Sequence, residues 1–502
     1  MTPREAAVAV VCIALAVAPF VVPAIPVGTD LPKHAFVAQV LSHYSDPQLK
    51  YAEHFRLVLR PRSTVLAEMA LAGLMLLAAP FAAVKILMVL AAATLWTSTR
   101  FMVVQMGKPP IAALLTLPVL HTFPVFSGFL PYSVSVVMFP FLLGTLLKYP
   151  AGRVRALRVA CLLALLYGIH IVAAAIGCLT VGIFALCELG TMEWLVRLLR
   201  QKRTTDIDRA GAIWDLLSMA PAVGLMVYFI LQREGRSVHM TYFSPFRQVA
   251  TYLAYNAVGL SKAGGYAFLA GVLLLAVAAF FGVRRRHTDI RLLVLSGGVF
   301  FLGLLLPVQV GDWFVVGSRT FPFALFAAIG LLDLSQAQWR SAAAVGVGVL
   351  TITSALNTTV AVRVQPLYSV FLSGLNSVEY GSRILPIIED SALGGNVFVQ
   401  PFDGIADAYN IFRGGSNAYV LAYPVLLTGA SPIEMKWKPE FDYKFDAGGK
   451  HPNYQGVSRV YDYVLVFGNM PETIRQLESE MRLQFHNGPL RIYRGNSQWK
   501  SR

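Results

Sequence analysis

Apolar stretches of 17–25 residues recur from Ala6 to Val360. Each is long enough for a helix to cross a hydrocarbon core of about 30 Å. A water-soluble helix buries one stripe and solvates the rest, so a soluble domain has no use for so many such runs. Composition agrees: 56% of the 502 residues are hydrophobic, only 14% are charged, and the mean hydropathy is +0.59. A soluble domain carries about 25% charged residues. The chain reads as a polytopic α-helical membrane protein. Its first run, Ala6 to Ile25, has a single basic residue ahead of it (Arg4) and no convincing small-x-small cleavage site, so it reads as a retained helix rather than a signal peptide.

The net charge of +15 is unevenly placed. Residues 364–502 hold 13 basic and 13 acidic side chains, whereas residues 1–363 hold 29 basic and 14 acidic ones. The excess therefore sits among the spans, where basic loops set topology, and no basic face is left for nucleic acid. The clusters Lys148-Arg153-Arg155-Arg158, Arg197-Arg200-Lys202-Arg203-Arg209 and Arg284-Arg285-Arg286 read as cytoplasmic, with Arg100 and Lys108 a weaker one. With the N-terminus inside, spans are expected at 5–25, 84–105, 110–126, 128–147, 156–170, 171–189, 211–231, 264–283, 291–309, 319–335 and 342–361. These eleven crossings divide the chain into a membrane domain, 1–363, and an extracytoplasmic domain, 364–502. The apolar stretch 64–80 would break the parity as a twelfth span, so it is expected to lie in or on the outer leaflet, with Glu68 at the interface.

Two outward loops are then long, about 26–83 and 232–264. Phe36, Val37, Val40, Leu41 and Tyr44 predict an amphipathic helix on the outer surface in the first. Phe246, Val249, Ala250, Leu253 and Val258 predict a weaker one in the second. Pro118, Pro124, Pro131, Pro140 and Pro221 stand within spans, which fits either a protein-lined cavity or the ordinary frequency of Pro in membrane helices. Cys12, Cys161, Cys178 and Cys187 lie in apolar runs without ligand spacing and read as small buried hydrophobes. Beyond residue 363, strands are expected at 396–400, 461–468 and 490–494 and a polar helix at 471–482, together a small α/β domain of about 135 residues.

Chemistry concentrates where the chain leaves the first span, in Gly28-Thr29-Asp30-Leu31-Pro32-Lys33-His34. Asp30 and His34 share a helix face if the helix has begun. A carboxylate there can take a proton from a nucleophile, and Lys33 or His34 can hold a leaving phosphate or orient an acceptor. Thr29 or Asp30 before Leu-Pro is equally an ordinary helix N-cap. Further polar residues gather at expected outer helix ends. His121 lies ahead of Gly128 and Tyr132, His170 sits at the turn between two spans, and Arg319 follows Gly311-Asp312-Trp313 and Ser318. An outer Arg against the positive-inside trend suits bidentate phosphate binding, or else pairs with Asp312 or anchors at the interface. Each histidine is either a cavity group or a satisfied interhelical one. Arg233, Arg236 and His239 open the second outer loop and are weaker candidates for phosphate contact. Asp403 and Asp407 read as surface residues. There is no P-loop, Gly-x-Gly-x-x-Gly, Gly-x-Ser-x-Gly or His-Glu-x-x-His.

The layout resembles the GT-C superfamily of glycosyltransferases, which use polyprenyl-phosphate or polyprenyl-pyrophosphate sugars. The likeness is carried by a first span, a long outer loop opening on the acidic run at 30–34, the skimming stretch 64–80, the many spans and the outer C-terminal domain. The resemblance implies an inverting transfer with Asp30 as general base and Arg319 on the donor phosphate. It implies a lipid-linked sugar as donor, a glycan, lipid or protein as acceptor, and membrane lipids as surroundings. It also implies a plasma membrane setting, the bacterial inner membrane, with the C-terminal domain periplasmic or extracellular. No Asp-x-Asp opens the loop, so the sequence names no metal ligands and leaves a divalent metal open. A lipid-linked-glycan flippase would instead carry midplane charges and a two-fold repeat of spans; a polymerase or ligase of lipid-linked glycans would differ mainly in acceptor. A non-enzymatic membrane protein with a ligand-binding outer domain would need no Asp30.

Overall fold

The computed structural model describes residues 3–58, 60–191, 208–231, 240–257, 259–283, 289–310, 313–314, 316–389, 399, 401–419, 431–437, 439 and 453–495. The strand expected at 396–400 falls outside these residues except for Val399, and the basic clusters at 197–203 and 284–286 fall outside them entirely. The chain divides into two compact units. One comprises 1–19, 61–67 and 87–358, the other 20–60, 68–86 and 359–502.

The first unit is helical. Among the described residues, five helices are long and apolar enough to cross a membrane: Pro80–Gln105, Leu130–Lys148, Ile171–Glu188, Arg209–Leu231 and Gln336–Ser377. Shorter apolar helices include Glu5–Val21, Val65–Met75 and Ile290–Leu305. Large apolar side chains stand exposed along them, among them Val10, Leu90, Leu231 and Phe301, which is stable only where hydrocarbon is the solvent. The 11-residue helix Val65–Met75 reaches only about 16 Å at 1.5 Å per residue, half of a hydrocarbon core.

Two local expectations change in this unit. The segment 110–126 is a 3-10 helix, Pro110–His121, followed by the short helix Phe123–Phe126. Pro110 opens it and Pro118 removes an N–H from its interior, and it is buried from Ala112 to His121. Irregular backbone survives at that depth because protein surrounds it. In the second outer loop the helix Pro245–Ala257 forms, while Val258 lies outside the described residues. Phe246 and Val249 face outward while Gln248, Tyr252 and Asn256 are buried at i, i+4, i+8. Gln248 donates to the Leu306 carbonyl at 2.6 Å. Cys161 is exposed and Cys178 half-buried; only Cys12 and Cys187 are buried as expected.

One member of the basic cluster at 148–158 is neutralised. Arg155 is 2% exposed and pairs with Glu188 at 2.6 Å and with Asp215. Its guanidinium also donates to the Leu146 and Tyr149 carbonyls.

The second unit carries a five-stranded mixed sheet in the order Ser416–Asn417, Arg383–Ile388, Tyr463–Phe467, Leu490–Arg494, Arg482–Asn487. Ile384 to Ile388 pair in parallel with Tyr463 to Phe467, which pair antiparallel with Arg494 to Leu490. The central strand YVLVF is buried throughout, as a strand covered on both faces must be. Three strands of this sheet were not expected from sequence, among them the two-residue Ser416–Asn417. Arg383–Ile388 contains Pro386, ordinarily a mark against a central strand. Among the described residues, only Arg383 and Ile384 are paired on its outer side, by Ser416 and Asn417, so Pro386 withdraws no ladder bond there. Arg482–Asn487 begins where the polar helix stops at Glu480.

The loop helix Leu31–Ser42 belongs to this unit, and instead of lying on a surface it is buried at nine of its twelve positions. It packs against the helices Phe402–Ile405 and Asp407–Arg413 and the strand Ile433–Met435. Phe36 meets Tyr51 and Phe55 edge to face at 5.8 and 5.6 Å. Asp407 is likewise buried, not on the surface: its carboxylate accepts from Asn417 at 2.6 Å. The side chain of Asp403 lies outside the described residues.

Candidate active site

In the second unit, Asp30 occupies the N-cap position of Leu31–Ser42, yet its side chain makes no capping bond. Its carboxylate meets Lys33 Nζ at 2.9 Å, with the Lys33 and Asp30 side chains 12% and 18% exposed. Pro32 at the first turn and the His34 N–H to Asp30 carbonyl bond of 2.9 Å start the helix without that carboxylate. The chain turn beneath it is pressed from outside by Gly404, where a β-carbon would run into the Thr29 carbonyl. Only glycine lets the Phe402–Ile405 turn close so tightly on the Asp30 corner.

His34, one turn on, directs Nδ1 to Glu68 Oε1 at 2.6 Å in a buried contact. Burial by itself pulls the His34 pKa down, but the Glu68 carboxylate, helped by Asp30 and opposed by Lys33, carries it above the ordinary 6.5. Glu68 is therefore a buried partner, not an interfacial side chain, at 3% exposure. Its role could not be read from sequence, because 34 residues separate it from His34.

A second residue that sequence reading passed over is His54, in the short helix Tyr51–His54. Trp437 Nε1 donates to Ser416 Oγ at 3.0 Å, the Ser416 hydroxyl donates to His54 Nδ1 at 2.9 Å, and His54 Nε2–H donates to the Gly381 carbonyl at 3.0 Å. That chain of bonds suits only the neutral ring. Burial pushes its pKa down from 6.5 to about 4, and the nearby cations Arg383, Lys50 and Lys436 push the same way.

In the first unit, three candidates come together. Arg319 lies in the 3-10 turn Gly317–Thr320, which closes on the helix Ile290–Leu305 because a β-carbon at Gly317 would strike the Gly303 carbonyl. Tyr132 donates its hydroxyl to the Arg319 carbonyl at 3.0 Å, and the Arg319 guanidinium lies over the Phe129 ring at 4.2 Å. His170 caps the helix Ile171–Glu188, its Nδ1 accepting from the Val172 N–H at 3.3 Å. Its other nitrogen, Nε2, stands 3.5 Å from Arg319 Nη1. The His170 ring meets Tyr132 edge to face at 5.6 Å. The buried Arg319 guanidinium, a cationic donor, is thus held beside the His170 ring, an arrangement suited to meeting an anionic oxygen.

His121 is committed elsewhere in that unit. Nδ1 meets Thr353 Oγ1 at 2.7 Å and Nε2–H donates to the Ala16 carbonyl at 3.0 Å, so it ties helices together. Arg233, Arg236, His239 and Asp312 lie outside the described residues. Among the described residues no group of three or more His, Cys, Asp or Glu side chains could hold a metal ion. An apolar cleft of about 220 Å³ opens in the first unit, lined by Leu115, Pro118, Phe268, Leu325, Val345 and Val349 among others.

These features define a mostly helical protein whose long apolar helices suit a membrane, joined to a unit that carries a mixed sheet. Among solved structures it is similar to the crystal structure of ArnT from Cupriavidus metallidurans in the apo state, with a TM-score of 0.56, 98% of each chain covered and 11% sequence identity. At that identity the likeness is one of fold. No family model matches the chain, and no curated protein matches it.

Proposed function

We propose that this protein is a glycosyltransferase that moves a sugar from a polyprenyl-(pyro)phosphate carrier to an acceptor at the outer face of the membrane, with inversion. The observation that carries the reading is the state of Asp30: a carboxylate at a helix start, not spent on the cap, held beside Lys33. Asp30 accepts the proton of the acceptor hydroxyl as its oxygen attacks the anomeric carbon. The bond from that carbon to the carrier phosphate breaks, and the carrier phosphate leaves with the electron pair. Arg319, with His170 beside it, supplies donors for the phosphate oxygens. Lys33 pairs with Asp30 before the reaction; its transfer to the leaving phosphate raises the basicity of Asp30 as charge builds on the leaving group. Tyr132 fixes the Arg319 backbone. Arg236 and His239 are further donors in the second outer loop. The apolar cleft has the chemistry to hold hydrocarbon of the carrier. The likeness in fold to ArnT, a GT-C glycosyltransferase, supports the reading across the length of the chain.

The test is a reconstitution. Purified protein in liposomes, supplied with lipid-linked sugars extracted from the same cells, is expected to consume one of them and release the free polyprenyl (pyro)phosphate, seen by mass spectrometry. Flipping of the lipid-linked sugars with every one of them intact would reverse the reading in favour of transport.

A further inference from the structure

The contact between His34 and Glu68 asks more of the pair than mutual support. Glu68 is 3% exposed, and only one of its oxygens is bonded; Oε2 is buried and has no hydrogen-bond partner among the described residues. A buried carboxylate with a single donor is costly unless that donor is a cation. The donor is His34 Nδ1, at 2.6 Å, the length of a charge-assisted bond. The other charged groups acting on His34 come from its own helix, Asp30 favouring the charged ring and Lys33 opposing it. Lys33 is itself turned to Asp30 at 2.9 Å. The second ring nitrogen, Nε2, has no hydrogen-bond partner among the described residues. Its side chain is 10% exposed. An imidazolium fixed through Nδ1 offers one remaining function at Nε2, a charged N–H donor.

We propose that His34 acts as a fixed imidazolium that donates Nε2–H to a phosphate oxyanion, and that Glu68 is the positioning residue that holds it in that state. The assignment rests on the transferase reading for its choice of phosphate as ligand, and it decides between two roles that the bare sequence left open for His34. A ring locked against Glu68 is a poor base, since it carries its proton already, and a good anion donor. Proton abstraction is left to Asp30. A neutral Gln at position 68 removes the charge that offsets burial, so the ring loses its proton and Nε2–H becomes a neutral donor or an acceptor.

Histidine-selective nitrogen NMR on the full chain in lipid nanodiscs tests this directly, with His34→Asn assigning the resonance. The wild-type ring is expected to titrate above 6.5 and the Glu68→Gln ring below it. Inorganic phosphate and polyprenyl monophosphate are added separately at neutral pH. At least one is expected to move the Nε2 resonance, with binding weakened about tenfold in Glu68→Gln, the size of a lost charge on one hydrogen bond. A response to the lipid alone assigns the site to a lipid headgroup, and a response to both assigns it to phosphate as such. Where Glu68→Gln does not fold, Glu68→Asp keeps the charge but withdraws it by one methylene, and it must lower the titration of His34. The same titration in wild type and in these variants, or an Nε2 resonance that neither probe moves, overturns the proposal. None of these readouts uses sugar transfer, so the transferase reading can fail without them and they can fail without it.

Discussion

Acidification should loosen the second unit through His54. The ring is neutral in the fold, with Nδ1 accepting from Ser416 and Nε2–H donating to Gly381. Its pKa is about 4 in the fold against 6.5 when free. A depressed histidine pKa stabilises the fold fully above 6.5, and that contribution drains away as pH falls from 6.5 towards 4. Its whole worth is about 3 kcal/mol, and about 2 kcal/mol of it goes between roughly pH 7 and pH 5. At 5% exposure the ring has little solvent screening to reduce this. About 2 kcal/mol is roughly a thirtyfold rise in local opening. The bonds at stake join Leu49 to Gly415, His54 to Lys436 and Gly381 to Arg413. Hydrogen exchange on peptides covering 379–383, 410–417 and 431–437, which hold the donating N–H groups of Gly381, Gly415 and Lys436, corrected for the intrinsic effect of pH on exchange, reads that opening. His54→Gln cannot titrate and keeps both a donor and an acceptor, so its protection should stay flat over the same range. Wild-type protection that falls no more steeply than that of His54→Gln would refute the reasoning.

Other perturbations have definite signs. Gly404→Ala drives a methyl into the Thr29 carbonyl; it should cost about 1–3 kcal/mol and lower the rate of transfer by moving the Asp30 corner, seen as a drop in both melting temperature and turnover. Arg155→Ala leaves Glu188 and Asp215 buried without their cation and should cost about 3–5 kcal/mol, measured as loss of folded protein in detergent during a thermal ramp. Arg319→Lys keeps the charge but not the planar fork over Phe129. It should raise the donor concentration for half-maximal rate about tenfold, and an unchanged value removes Arg319 from the donor site.

What could be read from the sequence was what local pattern dictates. Tyr463–Phe467 and Leu490–Arg494 are apolar or alternating runs, and Leu130–Lys148 and Ile171–Glu188 are long apolar ones, so period and length suffice. Arg383–Ile388 escaped because Pro386 argues against a strand until its open edge is known. The helix Pro245–Ala257 is legible from its apolar spacing, whereas the burial of Gln248, Tyr252 and Asn256 on its other face depends on tertiary partners such as the Leu306 carbonyl. The same limit applies to the candidate site. Asp30 and Lys33 are three residues apart and could be read as a pair. Arg319 and His170 are 149 apart, and His34 and Glu68 are 34 apart, so each residue could be suspected singly while the partnerships belong to tertiary structure. His54 gave no signal at all, because its partners, Ser416 and Gly381, are more than 300 residues away.

The central claim is that Asp30 is the base of a sugar transfer, and Asp30→Asn tests it most directly. Asparagine keeps the size and an acceptor oxygen but cannot take the proton. In liposomes with the lipid-linked donor consumed by the wild type, the variant is expected to turn over about 10²–10⁴-fold more slowly while still folding and still binding the donor. Transfer at the wild-type rate by a folded Asp30→Asn protein would contradict the account.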